Sequence, residues 1–167
     1  EKRGLKIYRQ DYLDACCDYA DALRIRVRPD VENMGQRVLE DCAKLKLVRD
    51  QIVDWVLLES GANPSEEFGQ ALVALLERLL ELKSRPPEVN TWSDAWFEAH
   101  SVFVYETFLY IVGALLKTES FDSLHLILTS HYLLPETEAS GVNRFDTFDA
   151  FHGSSETLQI LAPSGKT

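Results

Sequence analysis

Glu106 stands in the middle of SVFVYETFLYIVGALL, residues 101–116, where only Ser101, Glu106, Thr107 and Gly113 fall outside the apolar and aromatic set. A carboxyl group without a partner in such surroundings holds its proton to higher pH and can serve as a general acid. His100, Tyr105 and Tyr110 lie within a turn or two of it on the same expected helix. Together the four form a candidate ligand pocket, because bundles often enclose small molecules between helices. The structural reading is favoured over this one. There Glu106 accepts bonds from Arg49 or a tyrosine hydroxyl, or meets solvent, since a functional acid normally comes with a second convergent polar group and none is identifiable.

Other chemistry is weakly supported. The four histidines are His100, His125, His131 and His152. Glu98 and His100 point about 200° apart on one helix, and Asp149 with His152 is a lone i, i+3 pair, so no metal site is expected. Cys17 and Cys42 are expected to be buried, inert thiols. The chain ends in Gly165-Lys166-Thr167, as a phosphate-binding loop does, but Ile160 occupies the position of that motif's first glycine. No following helix remains to face an anion. Seven residues separate Arg144 from His152, which does not fit helical ribonucleases that place His four to six residues after Arg. No catalytic residue and no cofactor are assigned.

A binding surface is the stronger expectation. Formal net charge is -10, divided into +2 over residues 1–28 and -12 over the rest. Arg24, Arg26 and Arg28 concentrate the positive end, and Trp92 and Trp96 supply large aromatics at an element boundary, where such rings often anchor partners. These five residues form a candidate interaction surface for a protein partner or a second copy. Nucleic acid is disfavoured by the acidic remainder, and three arginines at alternate positions scatter around a helix.

These groups must be held by helices. Tyr8, Tyr12, Ala15, Cys16, Tyr19 and Leu23 recur at helical spacing over residues 6–26, before Pro29. A second helix is expected over residues 31–60, with Met34, Val38, Cys42, Leu45, Ile52 and Val56 on one face and Gly61 as its C-terminal cap. Arg49 interrupts that stripe and is expected to snorkel outward, burial against an acid being the lesser alternative. The third helix reads from an Asn63 cap and Pro64 through a stripe of Phe68, Ala71, Leu72, Leu75, Leu76, Leu79 and Leu80. The central helix starts at a cap on Asn90 or Ser93 and ends near Lys117. Along it Ala99, Glu106 and Gly113 define a narrow seam where another helix can approach. A short helix spans 120–131, a surface loop 135–143, and a last helix carries Phe145, Phe148 and Phe151. Residues 162–167 read as a frayed tail.

The 167 residues suffice to bury a core without metal or disulfide support. The apolar run is shorter than the roughly 20 residues of a spanning helix and carries Glu106, so no membrane association is expected. An odd number of cysteines (Cys16, Cys17, Cys42) fits a reducing cytoplasm. The chain starts at Glu1, which suggests a segment of a larger protein. The expectation is an all-α single domain of five to seven helices around a buried central helix. Its expected function is a noncatalytic interaction, regulatory or oligomerisation module of a cytoplasmic protein. A small-molecule-binding domain or enzyme near Glu106 is the alternative, and a nucleic-acid effector using the basic N-terminal segment the least favoured.

Overall fold

The computed structural model describes residues 2–27, 33–62, 65–134, 145–153 and 155. Arg28, the Asn63 cap with Pro64, the 135–143 loop and the 162–167 tail lie outside the described residues.

The fold is all-α, with five α-helices among the described residues: α1 (Lys2–Ala22), α2 (Met34–Ala62), α3 (Glu66–Glu81), α4 (Glu98–Lys117) and α5 (Phe121–Thr129). Two residue pairs form the small antiparallel ladder of β1 (Tyr132–Leu133) with β2 (Phe145–Asp146), in which Tyr132 faces Asp146. Short 3-10 turns cover Asp94–Phe97 and Phe148–Phe151.

The stripe of α3 packs as its spacing demands, with Ala71 half-buried at its edge and Phe68, Leu72, Leu75, Leu76, Leu79 and Leu80 buried. Each such side chain contributes about 1.5–3 kcal/mol by leaving water. The helix starts on Ser65, whose extended backbone lets its hydroxyl accept from the Phe68 N–H at 3.2 Å. Glu66 and Glu67 in the first turn and Arg78 in the last complement the helix dipole.

Three expectations are corrected. On α1 the buried face is Leu13, Cys16, Cys17 and Ala20, while Tyr12 and Tyr19 are exposed at 41% and 51%. Leu13 and small side chains face inward there, and Tyr12 lies at the edge with its hydroxyl donating to the Gln51 carbonyl at 3.4 Å. Gly61 does not cap α2, which continues to Ala62. The Phe145, Phe148, Phe151 periodicity belongs to a strand followed by a 3-10 turn, not an α-helix, and three residues per turn is the 3-10 repeat.

The longest packed boundary joins α2 to α4. From α2 it takes Leu45, Ile52 and Val56, and from α4 Phe103, Ile111 and Ala114, all buried. A hydroxyl cluster closes the far end: Thr118 donates to Ser60 Oγ at 2.9 Å, and Ser120 Oγ donates to the Ser60 carbonyl at 3.3 Å. Asp94–Lys117 is 24 residues long and, by length and composition alone, apolar enough to cross a membrane. Half of its most apolar window is buried inside the bundle, and the helix outruns the apolar stretch that suggested a shorter element.

Candidate functional site

The outer side of the α2–α4 boundary is a cleft of about 370 Å³ lined by Cys42, Lys46, Arg49, Val102, Phe103 and Glu106, with Tyr110 at its end. Arg49 is 6% exposed, which corrects the expectation that it snorkels. One turn of α4 explains this. Arg49 Nη1 donates to Glu106 Oε2 at 2.6 Å, Nη2 donates to Asp50 Oδ1 at 2.7 Å, and the guanidinium carbon lies 4.3 Å from the Tyr110 ring centroid. Burial disfavours the guanidinium charge, but the Asp50 and Glu106 carboxylates outweigh it and raise the Arg49 pKa. A planar cation satisfied on its edge and covered on its face can stay inside.

Glu106 therefore is not the partnerless carboxylate that acid catalysis needs. Its side chain is 45% exposed and anchored by Arg49. Nor does the cleft offer a thiolate: burial, with Glu106 and Asp41 nearby, pushes the Cys42 thiol up to about 11. Cys17, deeper under α1, is pushed to about 12, chiefly by burial. Among the described residues no three His, Cys, Asp or Glu side chains converge as metal ligands. The arrangement can hold a guest by contact and charge.

The structure divides the predicted pocket residues. Glu106 and Tyr110 share the cleft. His100 is elsewhere, 1% exposed beneath α1, where its Nε2–H donates to the Ala20 carbonyl at 2.9 Å. Tyr105 is on another side of α4, its ring 5.4 Å from that of His152. Side chains at 100, 105, 106 and 110 fan out around a helix, so sequence proximity alone did not bring them together.

Burial, opposed by the Ala20 bond and then reinforced by the Arg24 charge, lowers the His100 pKa, with Asp41 and Asp21 acting the other way. The unfolded chain therefore binds the His100 proton at a higher pH than the folded chain does. Stability contributed by neutral His100 is present above about pH 6.5 and declines as pH falls below it, by at most about 1.4 kcal/mol per pH unit. Urea midpoints measured between neutral and mildly acidic pH should show that decline in the wild type and a flatter profile in His100→Gln. Equal slopes in the two proteins would contradict it.

The predicted interaction surface is mostly committed internally. Arg24 Nη1 donates to the Ser84 and Glu81 carbonyls at 2.9 and 3.2 Å, and its Nη2 pairs with Asp21. Arg26 pairs with Asp21 and, at 2.7 Å, with Glu88. These two arginines clasp the end of α1 to the segment after α3. Trp92 is 44% exposed but lies under Arg85, whose guanidinium carbon is 4.3 Å from the indole centroid, and Trp96 is half-buried. They present less free charge and ring surface than the sequence suggested.

A second groove of about 350 Å³ continues past Tyr110, lined by Val53, Leu57, Leu109, Gly113, Ala114 and Lys117. On α4 its signal was present in the sequence as Leu109 and Gly113, four residues apart, with Val102 and Glu106 of the first cleft continuing the same spacing. The inference from the apolar run stopped at burial and missed this face. Of the expected seam, Ala99 is buried in the first cleft, while a Cβ on Gly113 would meet nothing within 4 Å.

No protein-family model matches this chain, and neither a curated protein nor a solved structure matches it.

Proposed function

We propose that the chain is a noncatalytic helical interaction module whose working surface is the outer face of α2 and α4. The observation that carries this reading is the apolar groove beside Gly113, flanked by Leu109, Tyr110 and Leu116, exposed at 48%, 50% and 51%. Contiguous apolar surface at the side of a packed bundle mark places where other chains bind. Half-exposed Leu and Tyr side chains on a rigid helix bind with little loss of freedom. In this reading α4 is the central helix, joined to α2 on one side and α5 on another. A cytoplasmic setting fits the free thiols Cys16, Cys17 and Cys42, the first two buried.

Photocrosslinking in cells that make the protein tests the module. A benzophenone amino acid in place of Leu109 should yield a protein adduct, and the same group in place of exposed Gln70 on α3 should not. Equal capture at the two positions, or none at Leu109, would remove the reading.

A further inference from the structure

Resting on that reading, we infer that the partner of this face is a second copy of the chain, paired antiparallel through α4. The half-buried Val102 and Glu106 and the exposed Leu109, Gly113 and Leu116 follow the alternating four-three spacing that keeps one helix seam against another at a shallow crossing angle. They lie on one arc of α4, opposite the buried arc of His100, Val104, Thr107, Ile111 and Leu115. Both sides of the helix thus carry a packing surface, and the bundle covers one.

The open surface complements itself. Leu109 projects as a half-exposed knob, and four residues on, Gly113 leaves a hole at the edge of the 350 Å³ groove. A two-fold axis passing beside Ile111 and perpendicular to α4 puts Leu109 of each copy over Gly113 of the other. Isologous pairing requires this kind of self-matching patch, and one axis fills both holes at once. The same axis brings Leu116 of one copy opposite Glu106 of the other, which sets the neighbouring Lys117 amine beside that carboxylate. Glu106 remains 45% exposed on its side chain despite its bond to Arg49, so it can accept a second cation. A parallel pairing would instead set Gly113 against Gly113 and Glu106 against Glu106, leaving a void and a like-charge contact.

Twenty residues of α4 span about 30 Å at a helix width of about 10 Å, so the paired face projects about 300 Å². That is below the roughly 800 Å² per partner of a standard interface and corresponds to a weak, concentration-dependent dimer.

The test is solution mass by light scattering over about a hundredfold concentration range, on the wild type, Leu109→Glu and Gly113→Leu. Leu109 is half-exposed and Gly113 faces open space, so both variants keep the bundle, which far-ultraviolet circular dichroism verifies. The wild type should approach twice the 19.0 kDa chain mass. Either substitution should raise the dissociation constant at least about tenfold, equivalent to 1.4 kcal/mol. Orientation is read separately: mixing Leu109→Cys with Gly113→Cys under mild oxidation should give a crosslinked dimer that neither variant gives alone. A wild type that stays at 19.0 kDa, or a dimer indifferent to both substitutions, overturns the pairing. Crosslinking of Gly113→Cys to itself overturns the antiparallel arrangement. If the chain is monomeric while the benzophenone at position 109 captures a different protein, the self-pairing fails and the interaction module stands; if nothing is captured, both fail.

Discussion

Replacing Phe151 by alanine is expected to lower the unfolding free energy by about 3–5 kcal/mol, the usual cost of deleting a fully buried aromatic side chain. Phe151 is 0% exposed although it sits in a 3-10 turn far along the chain. Its ring stacks on Phe108 of α4 with centroids 4.4 Å apart and meets Tyr132 edge-on at 4.8 Å. Tyr132 is itself held by donating its hydroxyl to the Ile127 carbonyl at 2.6 Å. Lys83 secures the turn from outside, its ammonium donating to the Ala150 and His152 carbonyls at 2.6 and 2.8 Å. A short segment with one helical turn and a two-residue ladder has little stability of its own, so Phe151 couples it to the core. Equilibrium urea denaturation reads the loss. An unchanged global midpoint with local hydrogen exchange confined to β1, β2 and the turn would mean that the segment detaches as its own unit and the expected coupling is absent.

Reversing the charge at position 49 should be as severe. In Arg49→Glu the introduced carboxylate replaces a guanidinium that is 6% exposed, beside Asp50 and Glu106 and under the Tyr110 ring. It gains a buried anion without a cation and exchanges a favourable ring contact for an unfavourable one, a loss of about 3–5 kcal/mol. Arg49→Met should cost only about 1 kcal/mol, because Glu106 and Asp50 have side chains 45% and 49% exposed and return to water when the cation goes. Protonation relieves the introduced carboxylate in the folded state, so the reversed variant binds protons more tightly when folded and its deficit shrinks as pH falls. Thermal or urea midpoints of the wild type and both variants at two pH values test this. Equal stabilities for Arg49→Met and Arg49→Glu would show that position 49 is effectively solvated.

How much of this could be read from the residues varies from element to element. The α3 stripe was legible because six large apolar residues repeat in one register with carboxylates at its start, and only one helical face satisfies them. Its first residue was misplaced since Asn63, Pro64 and Ser65 all favour helix starts, and which of them caps depends on backbone angles rather than composition. Arg49 was misread for another reason. A snorkelling arginine and a buried one have the same neighbours in sequence, and the partner that decides between them stands 57 positions away on α4. The α4 groove was half legible: the small residue at 113 and the carboxylate at 106 marked a seam, but a uniformly apolar helix does not declare which of its arcs is covered. For α1 the alternation of tyrosines with small residues supports two adjacent faces, and close approach to its neighbours selects the smaller one. His100 went unrecognised as a structural group because its partner is the backbone carbonyl of Ala20, and the reach of Arg24 beyond nearby Asp21 was hidden because it ends on the carbonyls of Glu81 and Ser84, which carry no side-chain signature.

The arginine clasp at the end of α1 also orders the events of synthesis. Arg24 reaches carbonyls 57 and 60 positions later, Arg26 a carboxylate 62 positions later, and Asp14 and Asp18 wait for Arg78, 64 and 60 positions further on. A ribosome adds roughly 5–20 residues per second, so α1 leaves the exit tunnel seconds before its anchors exist. Through that interval its cysteine-lined face has only α2 to lean on, and α1, made before α2–α5, is among the last of these helices to be locked.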